Sequence, residues 1–296
     1  MLNAITQIAR EAGVEILKFY GGELDVEAKA DDSPLTQADR VAHTLICGRL
    51  RELDGGIPVL SEESDEAEIR DRKTWKRFWL VDPLDGTKEF IKQTGEFTVN
   101  IALIEEGVPV MGVIHVPVRG WTYFAEKGTG AWKRIGDKPK EPIRVRAAPV
   151  AKDEGKMMKD AGESPPADAN HPSRITDHES SITASESRLA LVASRDHAGP
   201  MVKQLLELFP GADAMSMGSS LKFCLVAEGE ADLYLRDAPT MEWDVAAAQS
   251  IVEAAGGRVL TLEKAPLRYN KDDLRNPALL TAGDSALAAR VLDSLT

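Results

Sequence analysis

The stretch from Phe78 to Phe90, FWLVDPLDGTKEF, constrains this chain more than any other. Its apolar start, Phe78 to Val81, reads as a short buried strand. The run stops at Asp82-Pro83, and Asp85 follows directly before Gly86-Thr87. Two acids three residues apart at a strand end present hard oxygen ligands at a sheet edge. That chemistry suits Mg²⁺, which takes a few carboxylates plus phosphate and keeps some of its waters. The backbone carbonyl of Leu84 lies between the acids as a third candidate ligand, and Thr87 adds a hydroxyl. Asp-Pro and Asp-Gly are also ordinary turn dipeptides, so the metal reading depends on what the rest of the chain supplies.

It supplies more acids at strand ends and helix starts. Ile57 to Leu60 reads as a second short strand, ending in Ser61-Glu62-Glu63-Ser64. An adjacent Glu pair is usually a solvated charge run, but beside the two aspartates Glu62 becomes a third metal ligand. Upstream, Leu2, Ile5, Ile8, Ala9, Ala12, Ile16 and Leu17 have helical spacing closed by Gly21-Gly22. A second helix is expected from Leu35 to about Leu53, opened by Ser33-Pro34, with Thr36 and Asp39 in its first turn. A first-turn Asp is ordinarily capping and dipole chemistry.

Strands are expected at Phe97–Ile104, Val108–Val116, Trp121–Ala125 and Ala131–Arg134, making a largely antiparallel sheet. Residues 147–187 then turn polar and rich in Pro, Ser and Asp, the composition of a flexible insert. The second half alternates: a strand at Leu189–Ala193, helices at His197–Leu208 and Ser219–Glu228, a strand at Leu233–Leu235, a helix at Trp243–Ala255 and a strand at Arg258–Leu260. That alternation indicates an α/β layer on a different plan. Its segment Gly218 to Arg236 joins a helix start with two cations, Lys222 and Arg236. Backbone N–H groups and hydroxyls of Gly218, Ser219 and Ser220 could receive phosphate there; a capped helix with a snorkelling lysine is the plainer alternative. Asp244, in Glu242-Trp243-Asp244, opens the next helix as an N-cap or as a fourth metal carboxylate.

Composition excludes several classes. The net charge of −12 leaves no basic stripe for nucleic acid. Two cysteines, Cys47 and Cys224, make neither a disulfide framework nor a zinc site. No apolar run reaches membrane-spanning length, and the N-terminus lacks a secretory h-region. A cytoplasmic setting is therefore expected, with peripheral membrane association left open and oligomeric state unspecified.

Asp82-Pro-Leu-Asp-Gly-Thr87, Ser61-Glu62-Glu63-Ser64 upstream and Trp243-Asp244-Val-Ala-Ala downstream together resemble the inositol monophosphatase superfamily of Mg²⁺-dependent, lithium-sensitive phosphatases. Within it, Asp85-Gly-Thr-Lys88-Glu89-Phe90, the run EFTVNIAL and Gly218-Ser-Ser-Leu-Lys222-Phe-Cys are similar to the CysQ-type 3′(2′),5′-bisphosphate nucleotidases. The insert and Asp196, where that type has a second serine, depart from the pattern. The resemblance implies an α-β-α-β-α sandwich with an antiparallel N-terminal sheet. Its expected parts are residues 1–146, an insert at 147–187, and a C-terminal α/β domain at 188–296. It implies that Glu62, Asp82 and the Leu84 carbonyl hold one Mg²⁺ and that Asp82, Asp85 and Asp244 hold a second, with room for a third. Asp39, Thr87 and Glu62 would serve catalysis. Gly86, Thr87, His197, Ser219, Lys222, Arg236 and Asp244 would bind a phosphorylated nucleotide. The expected reaction is hydrolysis of 3′-phosphoadenosine 5′-phosphate (PAP) to AMP and phosphate, which recycles PAP in sulfur metabolism. An inositol or fructose phosphate phosphatase and a catalytically silent nucleotide binder are the alternatives.

Overall fold

A computed structural model describes residues 1–22, 26–28, 34–147, 188–194 and 199–295. The chain opens with α1 (Leu2–Leu17), a short hairpin of β1 (Val26–Ala28) and β2 (Pro34–Thr36), and α2 (Gln37–Leu53). Then come β3 (Val59–Ser61), β4 (Arg77–Asp85), the single-turn α3 (Thr87–Ile91), β5 (Thr98–Glu105), β6 (Val108–Val116), β7 (Trp121–Glu126), β8 (Gly130–Ile135) and β9 (Glu141–Ile143). Strands β3 to β9 lie side by side in sequence order as one seven-stranded sheet. Only the β3–β4 pair is parallel; the other neighbours run antiparallel.

Strand β4 is apolar on both sides because both sides are covered. Trp79 and Val81 enter a core shared with Ile5, Ile16, Ala42 and Ile46 of the two N-terminal helices. Phe78 and Leu80 enter a second core with Val245, Ala248 and Phe223 from the C-terminal half. That half comprises β10 (Ala190–Ser194), α4 (Pro200–Leu208), β11 (Asp213–Met217), α5 (Leu221–Ala227), β12 (Leu233–Arg236), β13 (Thr240–Met241), α6 (Glu242–Ala254), β14 (Arg258–Thr261), β15 (Arg275–Asn276), β16 (Leu279–Ala282) and α7 (Ser285–Leu295). Five of these strands form a mixed sheet in the order β11-β10-β12-β16-β14. A third core, with Leu191, Leu233 and Leu280 against Val202, Leu205, Leu287 and Val291, packs α4 and α7 on its outer side. The layers therefore run helix, sheet, helix, sheet, helix, as the resemblance implied.

Several local expectations are corrected. Ser33-Pro34 does not open α2: Pro34–Thr36 is extended and pairs with β1, and the helix starts at Gln37 with Thr36 as its N-cap. The residue before a proline resists helical backbone, and Thr36 is the better cap. Nor does β4 end at Asp82-Pro83; it continues to Asp85, with a register shift against β5 between the two aspartates. Proline lacks the ladder N–H, so a bulge is the place a strand can hold it. The insert at 147–187 lies, apart from residue 147, outside the described residues.

Candidate active site

The site is assembled where β3 and β4 end and α2, α5 and α6 begin. On β4, Asp82 is buried, 1% exposed, and its Oδ1 accepts the Leu84 N–H at 3.0 Å. Burial and the negative charges of Glu62, Asp85 and Asp244, with a hydrogen bond shared with Glu62, push its carboxyl well above the usual range. Asp244 is raised in the same way, by burial and then by Asp85 and Glu62. Glu62 follows β3, where its backbone N–H donates to Val81 O at 3.0 Å and ties the two strand ends together. His43 Nδ1 of α2 sits 2.9 Å from the Ser61 hydroxyl at the start of that turn.

Asp85 is bound differently. Its Oδ2 accepts the Ser220 N–H at 2.6 Å, with Thr98 Oγ1 and Asn100 Nδ2 at 3.4 and 3.5 Å. The Ser220 hydroxyl stands 2.6 Å from Asp85 Oδ2 and 2.8 Å from the Asp244 carbonyl, so it links β4, α5 and α6. This corrects one expectation. Two of the three N–H groups expected to receive phosphate are already taken: Ser220 donates to Asp85, and Gly218 donates to Glu96 Oε2 at 2.9 Å. The helix terminus binds the protein's own carboxylates.

Asp39 does what a first-turn Asp does and more. Its Oδ2 accepts the Thr36 N–H at 2.8 Å and the Thr36 hydroxyl at 2.6 Å. Its other oxygen, Oδ1, lies 3.3 Å from the Thr87 hydroxyl, which is equally close to Leu84 O. Gly86, at φ +91°, makes the left-handed turn that brings Thr87 to this position. The N-cap of α2 and the Asp39–Thr87 pair are thus one hydrogen-bonded unit.

A cavity of about 150 Å³ opens beside Asp85 and Asp244. Gly86, Lys88, Ser219, Lys222, Tyr234 and Arg236 are among its walls. Lys222 is 5% exposed, and its ammonium donates to Ser219 O at 2.7 Å and Met217 O at 3.3 Å. Those contacts hold Ser219 in its unusual left-handed backbone, φ +48°. Burial pulls the Lys222 ammonium down to about 8, against the stabilising charge of Asp85. Arg236, half-buried, donates from Nε to Ala238 O at 3.1 Å. Lys88 is exposed at the rim. His197 and Asp196 lie outside the described residues.

The donor set fits a hard divalent cation. Three acids and a carbonyl at the strand ends meet Asp244 at the start of α6, and burial together with the neighbouring carboxylates raises the proton affinity of Asp82 and Asp244. Among the described residues, no three His, Cys, Asp or Glu side chains close tightly enough to cage an ion alone. An ion here would complete its shell with water and phosphate, as Mg²⁺ does. Sequence reasoning missed Thr98, Asn100 and Tyr234, and it read Ser220 as a donor to phosphate rather than to Asp85. The signal for the first two was present: they are polar residues two apart within the apolar strand TVNIALIE, so they share one face of β5.

Comparison with known proteins bears on this arrangement directly. The model for the family described as "Inositol monophosphatase family" matches residues 1–295. The chain is 42% identical over 280 residues to the 3′(2′),5′-bisphosphate nucleotidase CysQ of Escherichia coli strain K12, covering 94% of this chain and 97% of that protein. It superposes on the crystal structure of CysQ from Bacteroides thetaiotaomicron with a TM-score of 0.70 at 41% identity, over 95% of this chain and 96% of that one. An inositol monophosphatase of Thermotoga maritima gives a TM-score of 0.72 at 21% identity, covering 99% and 96%, and shares the fold. With its acids at paired strand ends, its five layers and a match along nearly its whole length, this chain belongs to the inositol monophosphatase family.

Proposed function

We propose that this chain is a Mg²⁺-dependent 3′(2′),5′-bisphosphate nucleotidase that hydrolyses the 3′-phosphate of PAP to give AMP and phosphate. One observation carries the reading: a buried acid cluster and two cations, Lys222 and Arg236, share one cavity. A substrate with two separated phosphates uses both ends of such a cavity. The acids, through metal, take the phosphate that reacts; the cations take the one that stays. A monophosphate sugar would leave the cationic end without a partner, and an unpaired buried charge is costly. The curated CysQ relatives, which bear this activity in their names, support the same reading.

Glu62, Asp82, the Leu84 carbonyl, Asp85 and Asp244 would hold two or three Mg²⁺ ions. Bound there, the ions would neutralise the phosphoryl oxygens and lower the pKa of the attacking water. The chain's own residues handle the proton. Thr87 Oγ1 can take a hydrogen bond from water while passing its own proton toward Asp39 Oδ1, 3.3 Å away. Asp39 stays oriented because Thr36 holds its other oxygen twice. Water adds to phosphorus, the P–O3′ bond breaks, and the nucleoside oxygen takes a proton from solvent to leave as the alcohol, while Asp39 returns the proton it accepted to solvent. Ser220 keeps Asp85 in place beside the transferring group.

The test is phosphate release from PAP with and without Mg²⁺, in wild type and in Asp82→Asn. The wild type should turn over only with the ion. Asp82→Asn should lose more than the roughly 10–100-fold that outer-shell partners are worth, with its far-ultraviolet circular dichroism unchanged. A variant as active as wild type would remove Asp82 from the metal site.

A further inference from the structure

Tyr234 has no place in the chemistry above, yet it stands in the wall of the same cavity. It is 2% exposed. Two other tyrosines of this chain are comparably buried, and both have their hydroxyl satisfied: Tyr123 donates to Glu228 Oε1 at 3.0 Å, and Tyr269 donates to Gln249 Oε1 at 2.6 Å. The Tyr234 hydroxyl has no such partner among the described residues. Tyr234 stands in the cavity wall and its hydroxyl is not one of the fully buried atoms without a partner, so the position makes physical sense where a ligand oxygen arriving in the cavity meets it.

The surroundings define what that is. On β12, Leu233 and Leu235 point into the outer core, so the alternation of a strand sends Tyr234 and Arg236 to the other side together. The ring is fixed from two directions: Phe223 meets it edge-on at 4.9 Å and 90°, and the Lys222 ammonium lies 5.5 Å from its centroid. The charges facing the hydroxyl are Arg236, Asp85, Asp244 and Asp237. Burial pushes the phenol above its ordinary range, so it keeps its proton and can donate. A rigid neutral donor between two cations suits an oxygen that only accepts, and phosphate oxygens of this kind gain from charge-assisted hydrogen bonds.

We propose that the Tyr234 hydroxyl donates a hydrogen bond to the substrate's non-reacting phosphate and, with Lys222 and Arg236, selects bisphosphates over monophosphates. The inference rests on the nucleotidase reading. It assigns Tyr234 to the remote phosphate because the residue shares its strand face with Arg236, whereas the reacting phosphate belongs to the carboxylate end.

Tyr234→Phe tests it cleanly, since phenylalanine keeps the ring, the edge contact with Phe223 and the cation above it. Steady-state kinetics would be measured on PAP and on adenosine 3′-monophosphate, which lacks the second phosphate, together with inhibition by AMP, which retains it. The expected result is a KM for PAP and an inhibition constant for AMP both about tenfold higher. The kcat for PAP and the KM for the monophosphate should stay within twofold. Unchanged KM and inhibition constants would overturn the proposal, as would equal losses on both substrates. A fall confined to kcat would move Tyr234 to the reacting phosphate and overturn it too. A wild type that fails to prefer PAP over the monophosphate would sink the nucleotidase reading itself, a result distinct from any of these.

Discussion

Lys222 carries a positive charge in a place where charge is costly, and that makes its protonation a measurable property of the site. Burial lowers its ammonium from the ordinary 10.5 to about 8. Below about pH 8 the folded enzyme holds the proton and can pair with phosphate; above it the charge is lost while the unfolded chain still keeps it. The stability cost of Lys222 therefore shrinks as pH rises from about 8 to about 10.4. Function moves the other way: kcat/KM for PAP should fall above about pH 8, through KM, with kcat nearly level. Rates on PAP from pH 6.5 to 9.5 check this, and a level kcat/KM through pH 9.5 would take Lys222 out of substrate binding. At this scale the sequence displayed the residue types but not their pairings. A cap at Asp39 and a contact from Asp39 to Thr87 look like competing uses in the sequence; in three dimensions one oxygen serves the cap and the other faces Thr87. The link from Ser220 to Asp85 spans 135 residues, and no local pattern announces it.

Among the elements, α6 is the one on which the site turns, because its first turn carries Asp244 while its body packs across β4 to β8. That packing needs a strand with no side chain at one point. A Cβ on Gly112 of β6 would sit 2.5 Å from Ala247 O and 3.0 Å from Ala247 Cα, both backbone atoms that cannot rotate away. Gly112→Ala should therefore push α6 off the sheet. We expect a loss of about 1–3 kcal/mol, read as a fall in Tm, and a kcat reduced roughly tenfold by the displacement of Asp244. A variant with wild-type Tm and kcat would show that the helix does not depend on this close approach. α1 was legible in the sequence because its buried positions repeat with the helical period, and β5 because it is a short, nearly continuous buried run. β11 was not: Asp213-Ala-Met-Ser-Met217 has no β-branched residue, and its place is set by parallel pairing with β10. α7 did carry a helical repeat, Leu287, Ala288, Val291 and Leu292, although sequence reasoning passed over it. Pro83 misled the reading of β4 because a bulge made by tertiary packing can hold a proline that local rules would put at a strand end.

At the scale of the whole molecule, the two sheets divide the work. The seven-stranded sheet brings Glu62, Asp82 and Asp85 to its strand ends, and the mixed sheet brings Tyr234 and Arg236 to the far wall of the cavity. The layering was legible through family resemblance, since the alternation in the second half indicated only an α/β layer and not how it would stack. Among the described residues no helix is long and apolar enough to cross a membrane. The central claim is that acids and cations in one cavity select a substrate with two phosphates. Its most direct measurement is kcat/KM for phosphate release from PAP, inositol 1-phosphate and fructose 1,6-bisphosphate in parallel, at saturating Mg²⁺ and with lithium added. The account predicts a preference for PAP of at least about 100-fold over inositol 1-phosphate, which is the discrimination two charge-assisted contacts can supply, and inhibition by lithium on the preferred substrate. Equal or better turnover of inositol 1-phosphate would leave the metal site standing and contradict the cationic wall.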